Sequence, residues 1–481
     1  MQKKFVSSLL LLLFLNVLVK PFWIFGIDLA VQNRVGATEY GLYAAIFSFS
    51  IIFNMLLDFG LTHYNNRTIA QSPEKVAQNF SKLTSLKLFL GLLYFAVSIG
   101  IGSFLGYTHQ AFWLLLTLSS CQFLASMLLF LRSHLAGLHL FKSDAFLSVL
   151  DKILVIALCA LLLFTSVLNR DFTVLDFALA QLISFVLAVV VGFVMVWQKA
   201  QGFKFQFSVS EFFVTLKKSA PYALLILLMA LYIRVDSVML EQISGAFYTG
   251  VYAQAYRLLD VVNQLGYLFA VLLLPMFSGM FARNENVKPL TQLSFGLIYS
   301  GAMAIACASF FVAEPFLDLL YTSHARLSAS VFKWLMVSSL FFGSTYVFGT
   351  LLTARGNLKQ LNMVALAGFL VNVVLNFILI PEYQAEGAAI ATVITQFTTA
   401  LAQLLVSFKL LQFNFGRRYW LQWLGFTICS LLASWVLSLT SLPWVLFGIL
   451  CMLVILLLAL LFNMINTASL LRIIRLRLSS Q

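Results

Sequence analysis

The chain has 481 residues, of which 62% are hydrophobic and only 10% charged, with a mean hydropathy of +0.97. Water cannot solvate that much apolar surface, so composition excludes a soluble enzyme or a water-borne binding module and makes lipid the solvent. The formal net charge of +13 sits in short gaps between apolar runs, not on a soluble basic face, which argues against nucleic acid as a partner.

Residues 1–19 begin like a signal peptide, with Lys3 and Lys4 ahead of an apolar stretch. No small-x-small cleavage pattern follows, and apolar sequence resumes after Lys20-Pro21, so an uncleaved first helix is expected. A transmembrane helix needs roughly 20 apolar residues. The runs that qualify lie at about 6–28, 40–60, 83–105, 110–131, 146–167, 173–197, 219–240, 250–276, 292–313, 332–353, 363–380, 386–408, 419–440 and 443–464. Helices are the expected element, because each run can satisfy its own backbone hydrogen bonds in lipid. The fold class is therefore an all-α polytopic membrane protein with about fourteen transmembrane helices. Cys121, Cys159, Cys307, Cys429 and Cys451 lie singly inside these runs, as small packing residues without metal-site or disulfide spacing.

Orientation follows from Lys and Arg between the spans. A cytoplasmic N-terminus leaves only Arg34, Arg170, Arg326 and Lys333 to the outside loops, while the inside segments collect the other inter-span cations. Both termini are expected to be cytoplasmic, in a bacterial inner membrane. The longest inside gap, about 198–218, mixes Lys199, Lys204, Lys217 and Lys218 with five phenylalanines. It reads as an amphipathic linker on the inner leaflet.

The two halves resemble each other. Gly36–Ala44 reads G-A-x-x-x-G-x-Y-A, and so does Gly245–Ala253; at the same offset Asn54 falls on Asn263, and at one residue less Asp28 falls on Asp236. Ala136-Gly137 with Lys142 is echoed by Ala354-Arg355-Gly356 with Lys359. Duplication of a six-span unit follows, and six is even, so the lobes are expected to be parallel. The expected division is a six-helix lobe at 1–197, a cytoplasmic linker at 198–218, a second six-helix lobe at 219–410, and two extra helices with a basic tail at 411–481.

These residues also carry a family resemblance. Val35–Tyr43 (VGATEYGLY), Leu57–Leu61 (LDFGL), Arg234–Leu240 (RVDSVML), Gly250–Ala253, Pro275–Ser278 (PMFS), Asn372–Pro381 and Gly387–Thr392 resemble the polysaccharide flippases of the multidrug/oligosaccharidyl-lipid/polysaccharide exporter superfamily. The blocks run over about 35–392. The resemblance implies a secondary transporter that moves undecaprenyl-diphosphate-linked oligosaccharide from the cytoplasmic to the periplasmic leaflet by alternating access, for surface polysaccharide biosynthesis. It implies membrane lipid as surroundings, H+ or Na+ as a coupling ion, and glycosyltransferases or a polymerase of the same pathway as partners. A departure is Gln384, where glycine is more usual after Pro-x-Tyr.

Charged groups inside a membrane are costly, about 2.5–3.5 kcal/mol each at the helix centre, so they mark cavities or partners. Lys20 lies in the first span one turn after Asn16 and beside the kink expected at Pro21. Arg234 and Asp236 stand near the outer end of the seventh span. On the eighth, Arg257, Asp260, Gln264 and Tyr267 fall at i, i+3, i+7 and i+10, one polar stripe. The second span carries Tyr43, Phe47, Ser50, Asn54 and Asp58, with Asp58 able instead to cap the helix or pair with Arg67. The substrate-binding expectation is a cationic cavity of Lys20, Arg234 and Arg257, lined by Asn16, Tyr43, Asn54, Asp260, Asn263, Gln264 and Tyr267. Asp28, Asp58 and Asp236 are the candidates for ion coupling. Asn372 and Asn376, one turn apart, fit a helix–helix hydrogen bond better than a substrate contact.

No cofactor and no metal site is expected: the histidines lack a ligand cluster, and no phosphate-binding G-x-x-x-x-G-K-[ST] occurs. Within the same architecture, a multidrug antiporter or a lipid II flippase remains the alternative. A membrane glycosyltransferase or polymerase is disfavoured, because the largest outside gap, about 314–331, is short.

Overall fold

The structure is a computed structural model. It describes residues 18–465 except 20, 73, 75, 166–168, 201 and 203–208. Thirteen helices follow one another among the described residues. α1 is a continuous element Phe22–Leu57 that opens as a π-helix over Phe22–Asp28 and closes as a 3-10 helix over Phe53–Leu57. The others are α2 (Leu61–Gln71), α3 (Val76–Phe104), α4 (His109–Gly137), α5 (Phe141–Phe164), α6 (Val174–Ala200), α7 (Val209–Ser244), α8 (Ala246–Ala282), α9 (Lys288–Leu320), α10 (Ala325–Arg355), α11 (Leu358–Leu411), α12 (Arg417–Ser438) and α13 (Trp444–Leu461). All but α2 are long and apolar enough to cross a membrane.

Twelve such elements and about fourteen expected spans differ for a physical reason. α11 has 54 residues, about 80 Å at 1.5 Å per residue, against a hydrocarbon core of about 30 Å. It is broken at Gln384, whose φ of 47° and ψ of −123° are non-helical, shortly after Pro381. α1 is broken likewise at Gly36, with φ 80° and ψ 172°. α11 therefore comprises two spans joined without a loop, and α1 is two helical segments joined in the same way. The π-helical opening of α1 directly follows Pro21, where the missing N–H was expected to disturb the helix.

The chain divides into two compact units, 1–250 and 251–481. In unit 1, Phe80, Leu90, Phe130, Leu131 and Leu147 head a buried apolar cluster built from α2 to α6. In unit 2 the core gathers Phe295, Tyr299, Phe348, Phe415, Phe426 and Cys451 from α9, α10, α12, α13 and the chain before α12. The opposite faces are bare and apolar: Val186, Val190 and Val194 on α6, and Leu453 and Leu457 on α13, are exposed at helical spacing. Such faces need a lipid surrounding.

Lipid is as apolar as leucine, so close helix contact depends on small residues. The repeated motif supplies them. Gly36 and Gly245 both have positive φ, 80° and 88°, and each starts a new helical segment. Five residues on, Gly41 and Gly250 allow α1 to meet the start of α8. A Cβ on Gly41 would stand 1.8 Å from the Ala246 carbonyl oxygen, and one on Gly250 would stand 1.9 Å from that of Ala37. The two copies of one sequence motif thus pack reciprocally, backbone on backbone. α7 also packs along α1, and the division between units accordingly falls at Gly250.

Candidate functional site

The polar residues of α1 form a column inside unit 1, and each reaches a different neighbour. Asp28 is fully buried. It accepts a hydrogen bond from the Tyr40 hydroxyl at 2.9 Å and from Gln32 Nε2 at 3.1 Å. Tyr40 lies beyond the Gly36 break, so this carboxylate ties the two segments of α1 together. The Tyr43 hydroxyl pairs with the Gln181 side chain on α6 at 2.9 Å, and its ring lies 5.2 Å from Phe177, itself stacked on Trp23. Asn54 Nδ2 donates to Gln122 Oε1 on α4 at 2.9 Å.

Asp58 ends the column, and its partner is Lys87 on α3. The Lys87 ammonium lies 3.0 Å from Asp58 Oδ1, and donates to the Leu57 carbonyl at 3.0 Å and to the Ser126 hydroxyl at 2.6 Å. It also stands 5.5 Å from the centre of the Phe130 ring. Asp58 accepts in addition from the Thr62 hydroxyl and from Thr62 N at 3.3 Å. A desolvated ammonium is tolerated only where its donors are used, and here α1, α3 and α4 converge to use them. Of the residues expected to line a cavity, Tyr43 and Asn54 thus act as ties between helices of unit 1.

Lys20 and Asn16 lie outside the described residues. Arg234 is half-buried on α7 and Asp236 is buried there. The α8 stripe divides by exposure: Arg257 and Asp260 are half-buried, whereas Gln264 and Tyr267 are exposed. None of Arg234, Asp236, Arg257 and Asp260 is without a partner. Asn263 lines a small, largely apolar cavity of about 120 Å3 in unit 2, with Gly266, Gly301, Ser339, Gly343 and Tyr346. The Tyr252 hydroxyl is 3.3 Å from that of Thr392 on α11, as Tyr43, its counterpart in the repeat, reaches Gln181 on α6. Asn376 Nδ2 donates to Asn372 Oδ1 at 3.1 Å, and both residues are fully buried.

Sequence reasoning passed over two features. Lys87 is an isolated cation within an apolar run, the same signal that selected Lys20. The second segment of α11 buries Thr392, Thr395, Gln396, Thr399, Gln403 and Ser407 on one face. Their i+3 and i+4 spacing is the pattern that was recognised on the second and eighth spans. His134 is fully buried near the end of α4, with Nδ1 2.9 Å from Asn65 Nδ2. No group of three or more potential metal ligands occurs among the described residues.

Comparison with known proteins gives this geometry a family. Residues 9–281, more than half of the chain, match the model of the polysaccharide biosynthesis protein family. An uncharacterized membrane protein of Methanocaldococcus jannaschii is 26% identical over 190 residues, 39% of this chain and 44% of that protein. The matched region spans less than half the length of that relative. Among solved structures, the lipid II flippase MurJ in an inward closed conformation aligns over 96% of this chain and 100% of its own, with a TM-score of 0.71 and 17% identity. An inward-facing multidrug resistance MATE transporter aligns over 82% and 93%, with a TM-score of 0.61 and 15% identity. A MOP-superfamily transporter from Pyrococcus furiosus gives 83% and 93%, 0.59 and 16%. These likenesses establish a shared fold. The chain belongs to the polysaccharide biosynthesis protein family and is a multi-pass membrane protein with the fold of MurJ and the MATE transporters.

Proposed function

We propose that this protein is a secondary transporter that flips undecaprenyl-diphosphate-linked oligosaccharide from the cytoplasmic to the periplasmic leaflet of a bacterial inner membrane, by alternating access. The observation that carries the reading is the family match over 9–281 in a chain whose fold is that of a lipid II flippase. The chemistry supports it. The diphosphate of such a lipid carries about two negative charges and its sugars are polar, so unaided passage through hydrocarbon is slow. Lys20, Arg234 and Arg257 are the cations we assign to the diphosphate, as charge-assisted donors. Asn263, Gln264, Tyr267 and Asp260 on α8, with Asn16, Tyr43 and Asn54, are the polar groups assigned to the sugars and to the conformations that expose them. Asp28, Asp58 and Asp236 are the candidates for H+ or Na+ coupling. In this reading residues 1–197 and 219–410 are duplicated six-helix lobes joined by 198–218, and 411–481 is an appendage.

The family and fold support transport over catalysis. A second reading, a lipid II flippase, is favoured by the alignment over the full length of MurJ. The test is complementation in a strain lacking its own oligosaccharide flippase. Lys20→Ala and Arg257→Ala should each abolish surface polysaccharide while protein level in the membrane is kept. Full complementation by both variants would remove the cationic mechanism. Rescue of a MurJ-depleted strain without rescue of surface polysaccharide would select lipid II.

A further inference from the structure

A second cavity lies in unit 2, at the end where α9 and α12 begin and α13 finishes. It measures about 510 Å3 and is lined by Gln292, Arg418, Tyr419, Gln422 and Asn463, with Phe415 and Met464 among the apolar members.

Its walls are fixed by local structure. α13 stops at Asn463, whose φ is 53°, and Met464 N donates back to the Ala459 carbonyl at 2.9 Å, a Schellman-type helix end. The chain then lies directly on α9: a Cβ on Gly296 would stand 2.0 Å from the Met464 carbonyl oxygen. On the other side, Gln292 Nε2 donates to the Phe415 carbonyl at 3.2 Å, and the Tyr419 hydroxyl donates to the Gln292 carbonyl at 3.3 Å. These bonds join the first turns of α9 and α12.

The chemistry of the lining is one-sided. Among the described residues it contains a guanidinium, three side-chain amides and a phenol, and no carboxylate. The sequence has no Asp or Glu after Glu386. The acidic residue shortly before α9, Glu285, is held by two hydrogen bonds from Arg283. The N-terminus of α12, 22 residues long, has no side-chain cap, so its first N–H groups add positive potential on the same side. Among the described residues Arg418, exposed at the rim, is the one cation of this open cavity, and a cation beside amide donors fits a phosphate. The setting fits a phosphate attached to acyl chains. Half-buried Tyr419, Trp420 and Trp423 cluster with Phe415 beside the cavity, the residue types that are enriched at membrane interfaces. Immediately along α12, Leu421 and Leu424 present bare apolar side chains.

We propose that this cavity binds the phosphate headgroup of an anionic membrane lipid, with Arg418 as its counter-charge and Gln422 and Asn463 as hydrogen-bond donors. The site is separate from the residues assigned to transport, and the assignment stands or falls independently of them.

The experiment uses the full chain, purified with co-extracted lipid and examined by native mass spectrometry after exchange into defined dioleoyl-phosphatidylglycerol or dioleoyl-phosphatidylcholine. Arg417 and Arg418 are both exposed but only Arg418 lines the cavity, so Arg417→Ala removes an equal charge next door. The expected result is that Arg418→Ala retains phosphatidylglycerol about tenfold less well, that Gln422→Leu weakens retention in the same direction, and that Arg417→Ala and wild type are alike. Equal retention by Arg418→Ala and wild type, or equal loss from Arg417→Ala and Arg418→Ala, would overturn the site. If inorganic phosphate at millimolar concentration displaces phosphatidylglycerol completely, the cavity is a soluble-anion site and the lipid assignment is wrong.

Discussion

Lys87 and Asp58 form an ion pair at 3.0 Å in which the lysine side chain is only 2% exposed and the aspartate 29%. The pair ties α3 to the end of α1, and Ser126 brings in α4. Lys87 is the most deeply buried cation among the described residues of unit 1, and the pair joins the element that carries Asp28, Tyr43 and Asn54.

Removing Lys87 leaves Asp58 without its counter-charge in a partly buried setting and strips the Leu57 carbonyl and Ser126 of their donor. Lys87→Met should lower stability by about 3 kcal/mol, read as a fall in melting temperature in detergent. The double variant Lys87→Met with Asp58→Asn should recover much of the loss. An unchanged melting temperature in Lys87→Met would show that the pair does not hold these helices together.

The reciprocal contact of Gly41 and Gly250 leaves no room for a methyl group, because both obstacles are backbone carbonyls. Gly41→Ala and Gly250→Ala should each destabilise the protein by about 1–3 kcal/mol. The effects should be less than additive, since either substitution already separates the same two segments. Thermal unfolding of the two single variants and the double variant checks this, and full additivity would contradict a shared contact.

Gln384 adopts φ 47°, ψ −123° within α11, a conformation that glycine reaches without strain and a side chain does not. Gln384→Gly should therefore raise stability by about 1 kcal/mol or more. Gln384→Ala should give no such gain, because it keeps the Cβ. A melting temperature that falls in Gln384→Gly would mean the side chain contributes more than the backbone costs.

Tyr43→Phe removes a hydroxyl bonded to buried Gln181. It should cost about 1–2 kcal/mol, the penalty for leaving a buried amide short of a partner. Gln181→Leu combined with Tyr43→Phe should be less harmful than Tyr43→Phe alone, as a double-variant stability cycle would register.

Much of this was legible in the chain. Apolar runs lead to an all-helical membrane protein, because helix periodicity and desolvation act locally, and the two copies of G-A-x-x-x-G-x-Y-A mark the close contact of Gly41 and Gly250. The gaps left between the expected spans at 28–40 and 380–386 contain the two breaks, at Gly36 and Gln384. The partners were not legible. Asp58 meets Lys87, which is far along the chain, because pairing depends on which helices lie side by side. Asn54 and Tyr43 were legible as polar residues within a span, but their partners Gln122 and Gln181, on other helices, were not. The polar face from Thr392 to Ser407 is made of uncharged residues, each too mild to interrupt an apolar run, and only its spacing betrays it.

The central claim is tested most directly by reconstituting the purified chain into vesicles carrying undecaprenyl-diphosphate-linked oligosaccharide, then measuring how much oligosaccharide becomes open to a glycosidase added outside. The account predicts that the accessible fraction rises with time in wild-type vesicles and stays at the protein-free level with Arg257→Ala. Wild-type vesicles of folded protein that never exceed the protein-free level would contradict it.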